Sequence, residues 1–465
     1  MRRWLLFTMI FFLLQAGPLH AEESTDENAD LDLIPGTLES TGTEAAPAGA
    51  VRLNGKAYLE NAVTGWLNRG LRVQLPVTSP NWQNRTSLDM NYRWQVTDRF
   101  RLSLSNRLNV LAGDTLTFPS GENLRNDFRE GYLSWEPFPR TFLEVGRINL
   151  KNGVALGSNP TDYFKPRATV SIASIDPSAL RENRLGSLMI KGQKLFSRGA
   201  ITLAFSPRID SPSPLLTSQG ASFNPLFGQT NSDNRFLASF SYPIADLNPQ
   251  ALLFVDRNGT RFGLNITRVI GSSIVAYGEW SGGRQATLSS RALAFGEETA
   301  SLPQGAPLLP QSETGRSFRN DLSLGASWTS SFNLTVNLEY HYHQAGFGSS
   351  DFNNWLALGS SDPRLAAECW FVRQYAADQQ EPLMQHQFFL RLDWQDIIPS
   401  QLNAGSVFFI SPYDGSFLAQ ASAQYFISRN WTLGVYLGGT SGGSATVHGS
   451  LPSSASAVLQ IVRYL

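Results

Sequence analysis

Phe332-Asn-Leu-Thr-Val-Asn-Leu-Glu-Tyr-His-Tyr-His343 places its apolar and aromatic residues on one parity and its polar residues on the other. A period of two marks a β-strand, whose successive side chains point to opposite faces. Working outward, the same alternation runs through Leu88, Met90, Tyr92 and Trp94, and through Phe100, Leu102, Leu104, Leu108 and Val110. It returns at Phe236 to Tyr242, Phe262 to Arg268, Leu322 to Trp328, Phe388 to Trp394 and Trp431 to Leu437. These stretches approach the roughly 10 residues of a tilted membrane strand and carry an aromatic near one end, as an interfacial girdle requires. After Ala21 no segment reaches the roughly 20 consecutive apolar residues of a membrane helix. Any membrane span is therefore built from strands.

A soluble sandwich also alternates, so the connections have to separate the two. Tight links at Thr97-Asp98, Glu136 to Arg140, Phe196 to Gly199 and Thr329 to Ser331 alternate with long ones. The long links are Gly113 to Asn126, Leu150 to Asn183, Pro207 to Asn234, Gly283 to Gly315 and Gln344 to Met384, while two links on the same side, Asp256 to Gly259 and Pro412 to Gly415, are short but in phase. Turns at one end and loops at the other are the asymmetry of an outer-membrane barrel, with short periplasmic turns and long extracellular loops. The predicted fold is all-β: a transmembrane antiparallel β-barrel of about 18 strands over residues 51–465. Its first strand is expected near Gly65 to Leu75 and its last at Ser456 to Leu465. Val51 to Glu60 either extends the first strand or enters the lumen.

The N-terminus agrees with this destination. Arg2 and Arg3 precede the apolar run Trp4 to Leu14, and Leu19-His20-Ala21 offers a cut, so residues 1–21 read as a secretory signal peptide. Residues 22–50 hold eight acidic side chains and no basic one, a composition that cannot build a core and reads as a disordered periplasmic leader. Without these segments, 30 acids face 35 bases. The single Cys369 excludes an internal disulfide and a cysteine metal cluster. No basic stripe or module supports nucleic-acid binding. The expected location is the cell outer membrane, with lipid and lipopolysaccharide around the barrel and the barrel-assembly machinery reading the terminal strand at Tyr464-Leu465.

Three stretches carry a resemblance: Glu144-Val-Gly-Arg-Ile-Asn-Leu-Lys-Asn-Gly-Val-Ala-Leu-Gly-Ser-Asn-Pro-Thr-Asp162, Arg181-Glu-Asn-Arg-Leu-Gly186 and Phe409-Ile-Ser-Pro-Tyr-Asp-Gly-Ser416. With them the mature chain resembles outer-membrane porin-like proteins of the alginate-export type of proteobacteria. The resemblance implies a barrel exporting or admitting an anionic or sugar-rich solute, such as an exopolysaccharide, past arginines and lysines in the lumen.

Inward parity supplies Arg93, Arg101, Arg107, Arg147, Arg261 and Arg391, with Asp89, Glu339 and Asp393 as counter-charges. A planar guanidinium holds a carboxylate or phosphate through paired hydrogen bonds, so such a set lowers the cost of dehydrating an anion. The same residues equally suit a wall that pairs its own charges. Gly153, Asn159 and Asp162 lie in the first very long link and suit a loop folded inward to constrict the bore, or an exposed loop with Asx turns. Asp362-Pro363 predicts a capped helix through Ala377, either a lid or a loop brace. His341 and His343 share a face, but with no third ligand they carry no metal expectation, and no cofactor is expected. Two other readings compete with a pore. His448 and Ser450, two apart, could form a lipid hydrolase on an outward strand face, or the barrel could be structural and non-conducting.

Overall fold

The computed structural model describes residues 52–74, 79–114, 123–170, 172–215, 224–302, 309 and 315–465; the expected signal peptide and acidic leader lie outside them. The strands are β1 (Arg52–Asn68), β2 (Trp82–Thr97), β3 (Phe100–Gly113), β4 (Leu124–Phe138), β5 (Thr141–Ile148) and β6 (Ser187–Phe196). They continue with β7 (Gly199–Ser206), β8 (Arg235–Ser241), β9 (Gln250–Asp256), β10 (Gly259–Ile270), β11 (Ile274–Gln285) and β12 (Ser317–Thr329). The last are β13 (Leu334–His343), β14 (His386–Ile398), β15 (Leu402–Ile410), β16 (Phe417–Ser428), β17 (Trp431–Ser441) and β18 (Ser453–Tyr464). Each pairs antiparallel with its sequence neighbours, and β1 closes onto β18 with Ala62 opposite Gln460. Closure leaves no sheet edge, so the backbone polar groups of the wall are satisfied without water.

The two faces of this wall are inverted relative to a soluble protein. Leu338 on β13 is 56% exposed, whereas its neighbours Asn337 and Glu339 are buried. The exposed apolar parity faces lipid and the polar parity faces a filled interior. On the outward face of β2, Trp82 and Trp94 stand twelve residues apart. At about 3.3 Å per residue and a tilt near 45°, that spans about 28 Å, the thickness of the hydrocarbon layer.

The expected first strand is corrected. β1 begins at Arg52 and ends at Asn68, so residues from Arg52 to Glu60 extend it and do not form a separate inward segment. Its outward parity includes Gly55, Ala57, Asn61 and Gly65, which are too small or polar to show as an apolar period.

Among the described residues five helices occupy the links at the loop end or fold inward from them: α1 (Pro177–Glu182), α2 (Phe227–Thr230), α3 (Leu288–Glu298), α4 (Ser349–Gly359) and α5 (Pro363–Gln379). The Asp362 side chain accepts from the Arg364 N–H at 2.7 Å, with Pro363 at the first helical position, which fixes where α5 starts. Leu293 and Phe295 of α3, Trp355 and Leu356 of α4, and Trp370 and Val372 of α5 form one buried apolar cluster. Val73, Met384 and Val447 join it from other links. Each large side chain so buried contributes about 1.5–3 kcal/mol, enough in sum to hold these loops together as a roof over the mouth.

Candidate functional site

The link 149–186 between β5 and β6 decides the shape of the interior. Gly153 adopts φ 82°, and a Cβ there would run into Asn159 Oδ1 and the Glu279 carboxylate, so only glycine fits this turn. Beyond it the Val154 and Ala155 N–H groups donate to Glu279 of β11, and Thr161 Oγ1 donates to the same carboxylate at 2.9 Å. Leu156 and Gly157 donate to Glu339 of β13 at 2.7 and 2.8 Å. Glu339 also accepts from the Tyr277 hydroxyl at 2.6 Å and lies 2.7 Å from His341 Nε2. Strands β11 and β13 stand far round the ring from β5, so the loop crosses the interior and is tied to the opposite wall. A hydrogen bond contributes about 0.5–1.5 kcal/mol net, and the several gathered on each of these two glutamates make them the loop's anchors.

The returning half is fastened differently. Asp162 is gripped by Arg184 at 2.7 Å and lies 3.6 Å from Arg181. Burial alone would raise the Asp162 carboxyl, but Arg184 and then Arg181 outweigh it and hold the group below the usual carboxylate range. Asn159 donates to Ala155 O at 3.2 Å, closing the turn that Gly153 opens. Ile175 N–H donates to Gln420 of β16 at 3.0 Å, and Asp176 pairs with Arg391 of β14 at 2.9 Å.

The arginines singled out from the sequence divide into three environments. Arg93 and Arg101 are exposed near the turn end, where Arg101 donates to Gln95 at 3.3 Å. Arg107 is 2% exposed and joins Glu60 (2.8 Å) and Asp89 (3.3 Å) in an ion network with Arg85 and Arg129. Arg147 donates to Gly186 O, Pro225 O and Thr230 Oγ1, so it braces loops. Arg261 pairs with Asp256 at 3.2 Å and lies over the Tyr163 and Phe254 rings. Arg391 shares itself between Asp176 and Asp393, the latter at 3.3 Å.

Two cavities flank the inward loop. One of about 350 Å³ opens toward the roof and includes Lys165, Arg184, Arg373 and His448 in its wall. The other, of about 430 Å³, lies toward the turn end against Arg391, Asp393 and Gln424. Both are lined by Leu156 and Arg181 of the loop.

The eighteen-strand barrel has counterparts among solved structures. It is similar to the crystal structure of Acinetobacter baumannii OccAB1, at 8% identity and a TM-score of 0.51 over 89% of this chain and 96% of that one. It is also similar to Acinetobacter baumannii OccAB3, at 10% identity and a TM-score of 0.50 over 89% of this chain and 99% of that one. The fold is that of these two proteins. No family model and no curated protein matches the chain. At such identities the likeness speaks for the fold alone.

The hydrolase alternative requires a correction. His448 and Ser450 precede β18 in a turn in which Ser450 N–H donates to Thr446 O at 3.0 Å, so they do not share an outward strand face. Ser450 is 5% exposed; its Oγ donates to Val447 O and accepts from Arg373 Nη2 at 2.8 Å. Burial, then the neighbouring Arg373, pushes the His448 imidazole down to about 4. Among the described residues no hydrogen bond joins the two side chains, and the serine is a loop brace. A glycine-rich tip makes that turn, which is why two-residue spacing misled.

Sequence reasoning missed Glu279, Arg184 and Asp176. Glu279 was visible as an acid on the inward parity of Tyr277 and Ser281, but nothing in its own strand reveals that a distant loop supplies its donors.

Proposed function

We propose that the protein is a channel through which small anionic solutes cross the outer membrane, its bore narrowed by the inward loop 149–186. The observation that carries this reading is the pair of cavities on either side of that loop, sharing Leu156 and Arg181 as common wall. On the roof side, Lys165, Arg181, Arg184 and Arg373 face only Asp162 and Glu381 as carboxylates. Fixed positive charge in a low-dielectric space raises the local concentration of anions and lowers the cost of their partial dehydration. Arg93 and Arg101, exposed at the turn end, add to it.

A small solute is favoured over the exopolysaccharide that the alginate-export resemblance implies, because the loop and the roof of α3, α4 and α5 fill the space a polymer chain would need. The test is a planar-bilayer recording of the purified protein across a salt gradient. The expected record is a small conductance whose reversal potential reports anion preference. Arg93→Gln with Arg101→Gln should keep the conductance and reduce that preference. A barrel that conducts nothing, even after deletion of the inward loop, would overturn the reading in favour of a structural role.

A further inference from the structure

A third cavity, of about 480 Å³, lies apart from the two that flank the inward loop, beneath α3 and α5 on the side of β8 to β12. Its wall is unusually rich in guanidinium groups, and most of them are spoken for. Arg167 pairs with Asp378 at 3.1 Å, Arg257 with Glu298 at 2.6 Å, Arg261 with Asp256 at 3.2 Å and Arg291 with Glu381 at 2.6 Å. Three are not. Arg235 is 9% exposed, donates only to Ser187 Oγ, Ser206 Oγ and Thr230 O, and leaves its Nε without a partner. Its guanidinium carbon lies 4.7 Å from the Phe164 ring centroid. At the exposed rim Arg284 and Arg316 each donate to the other's backbone carbonyl, at 3.5 and 3.2 Å. Among the described residues none of these three is paired with a carboxylate.

Arg147 too is met only by neutral oxygens, but all three of its nitrogens are taken; Arg235 keeps a buried Nε without a partner and no carboxylate in contact, an arrangement that folding alone does not favour. Two more unpaired cations at the mouth of the same cavity point the same way. We infer that this cavity is a binding site for a small dianionic solute of the phosphate or phosphate-monoester class, with Arg284 and Arg316 capturing it at the rim and Arg235 completing its coordination inside. A monocarboxylate supplies a single charge to three cations, whereas a phosphate group offers two charges and several acceptor oxygens to their planar forks. The aromatic floor of Tyr163, Phe164 and Phe254 beside Arg235 and Arg261 excludes water from the inner end and strengthens the attraction there.

This inference rests on the channel reading only for the solute's route, and the experiment separates the two. Inorganic phosphate is titrated calorimetrically into the purified full-length protein in detergent, at a pH where phosphate is dianionic, with acetate as the monoanion control. Saturable phosphate binding is expected, with acetate weaker by about tenfold or more. Arg284→Gln/Arg316→Gln, at an exposed rim that does not carry the fold, should weaken phosphate by about tenfold or more, and Arg235→Gln should do the same if the barrel assembles. Arg429→Gln, exposed in the turn between β16 and β17, should leave binding unchanged. Absent phosphate binding, equal acetate binding, or undiminished binding in the rim double variant each overturns the site. Phosphate binding without conductance leaves the site standing and removes the channel; conductance without phosphate binding does the reverse.

Discussion

Replacing Glu279 by glutamine tests whether the inward loop is held by its wall anchors. The carboxylate accepts from the Val154 and Ala155 N–H groups and from the Thr161 hydroxyl in a buried setting. Glu279→Gln keeps the volume but offers one acceptor oxygen where the carboxylate offers two, so the Val154 and Ala155 N–H pair and the Thr161 hydroxyl can no longer all be satisfied by it. Leaving a buried polar group unsatisfied costs the docked loop about 1–3 kcal/mol, a rise of roughly five- to a hundredfold in the population of the undocked loop. Hydrogen–deuterium exchange of the 154–157 amides reads that population directly, and single-channel current should show more frequent large openings. Glu339 remains in place on β13, so the barrel should assemble as before. If the amides of Val154 and Ala155 exchange as slowly in Glu279→Gln as in the parent, the anchoring argument is wrong.

Three further outcomes follow from other parts of the molecule. Leu338→Arg, with its charge against lipid, should cost the barrel about 2–4 kcal/mol and lower the yield of folded, heat-modifiable protein, whereas Asn337→Arg on the inner parity should be better tolerated for insertion. Ser361→Cys should react with a membrane-impermeant maleimide on intact cells and Ser331→Cys should not; buried Cys369 stays silent, and labelling of Ser331→Cys would invert the assigned orientation. Because burial and Arg373 push His448 down to about 4, below its value in the open loop, docking of the 446–451 turn is at full strength above about pH 6.5 and is lost as pH falls from there toward 4. Exchange of that turn's amides should accelerate over this window in the parent and stay flat in His448→Gln.

The wall was readable from the sequence because a strand reports its environment locally: Leu334 to Tyr342 shows its lipid face to anyone counting in twos. Turn and loop lengths then told one end of the barrel from the other, and Asp362-Pro363 supplied the start of α5. Where the outward parity is occupied by Gly55, Ala57 and Asn61, the period vanished and β1 was placed too late. The interior was far less legible. Whether Arg107 or Arg391 faces open water or a carboxylate depends on partners 47 and 215 positions away, Glu60 and Asp176, and no local pattern encodes such a distance. Gly153, Asn159 and Asp162 marked the segment that turns inward, yet the glutamates receiving it sit on other strands and look like any lumenal acid. His448 and Ser450 show the converse error, a spacing read as chemistry where a glycine-rich turn had set it.

The roof has a consequence for how the protein comes into being. In the wall each strand meets the one just made, and only the β1 to β18 seam joins distant parts of the chain. The apolar cluster above it draws on Val73, Leu293, Trp370 and Val447, side chains brought within reach of one another only once that seam has closed. Contacts of such high sequence separation are entropically deferred, so the roof assembles last and is the first part to be lost on destabilisation. A lesion such as Trp370→Ala would then leave a fully inserted barrel in normal abundance with an unguarded mouth, and the cell would register it as leakiness toward large toxic solutes rather than as a missing protein.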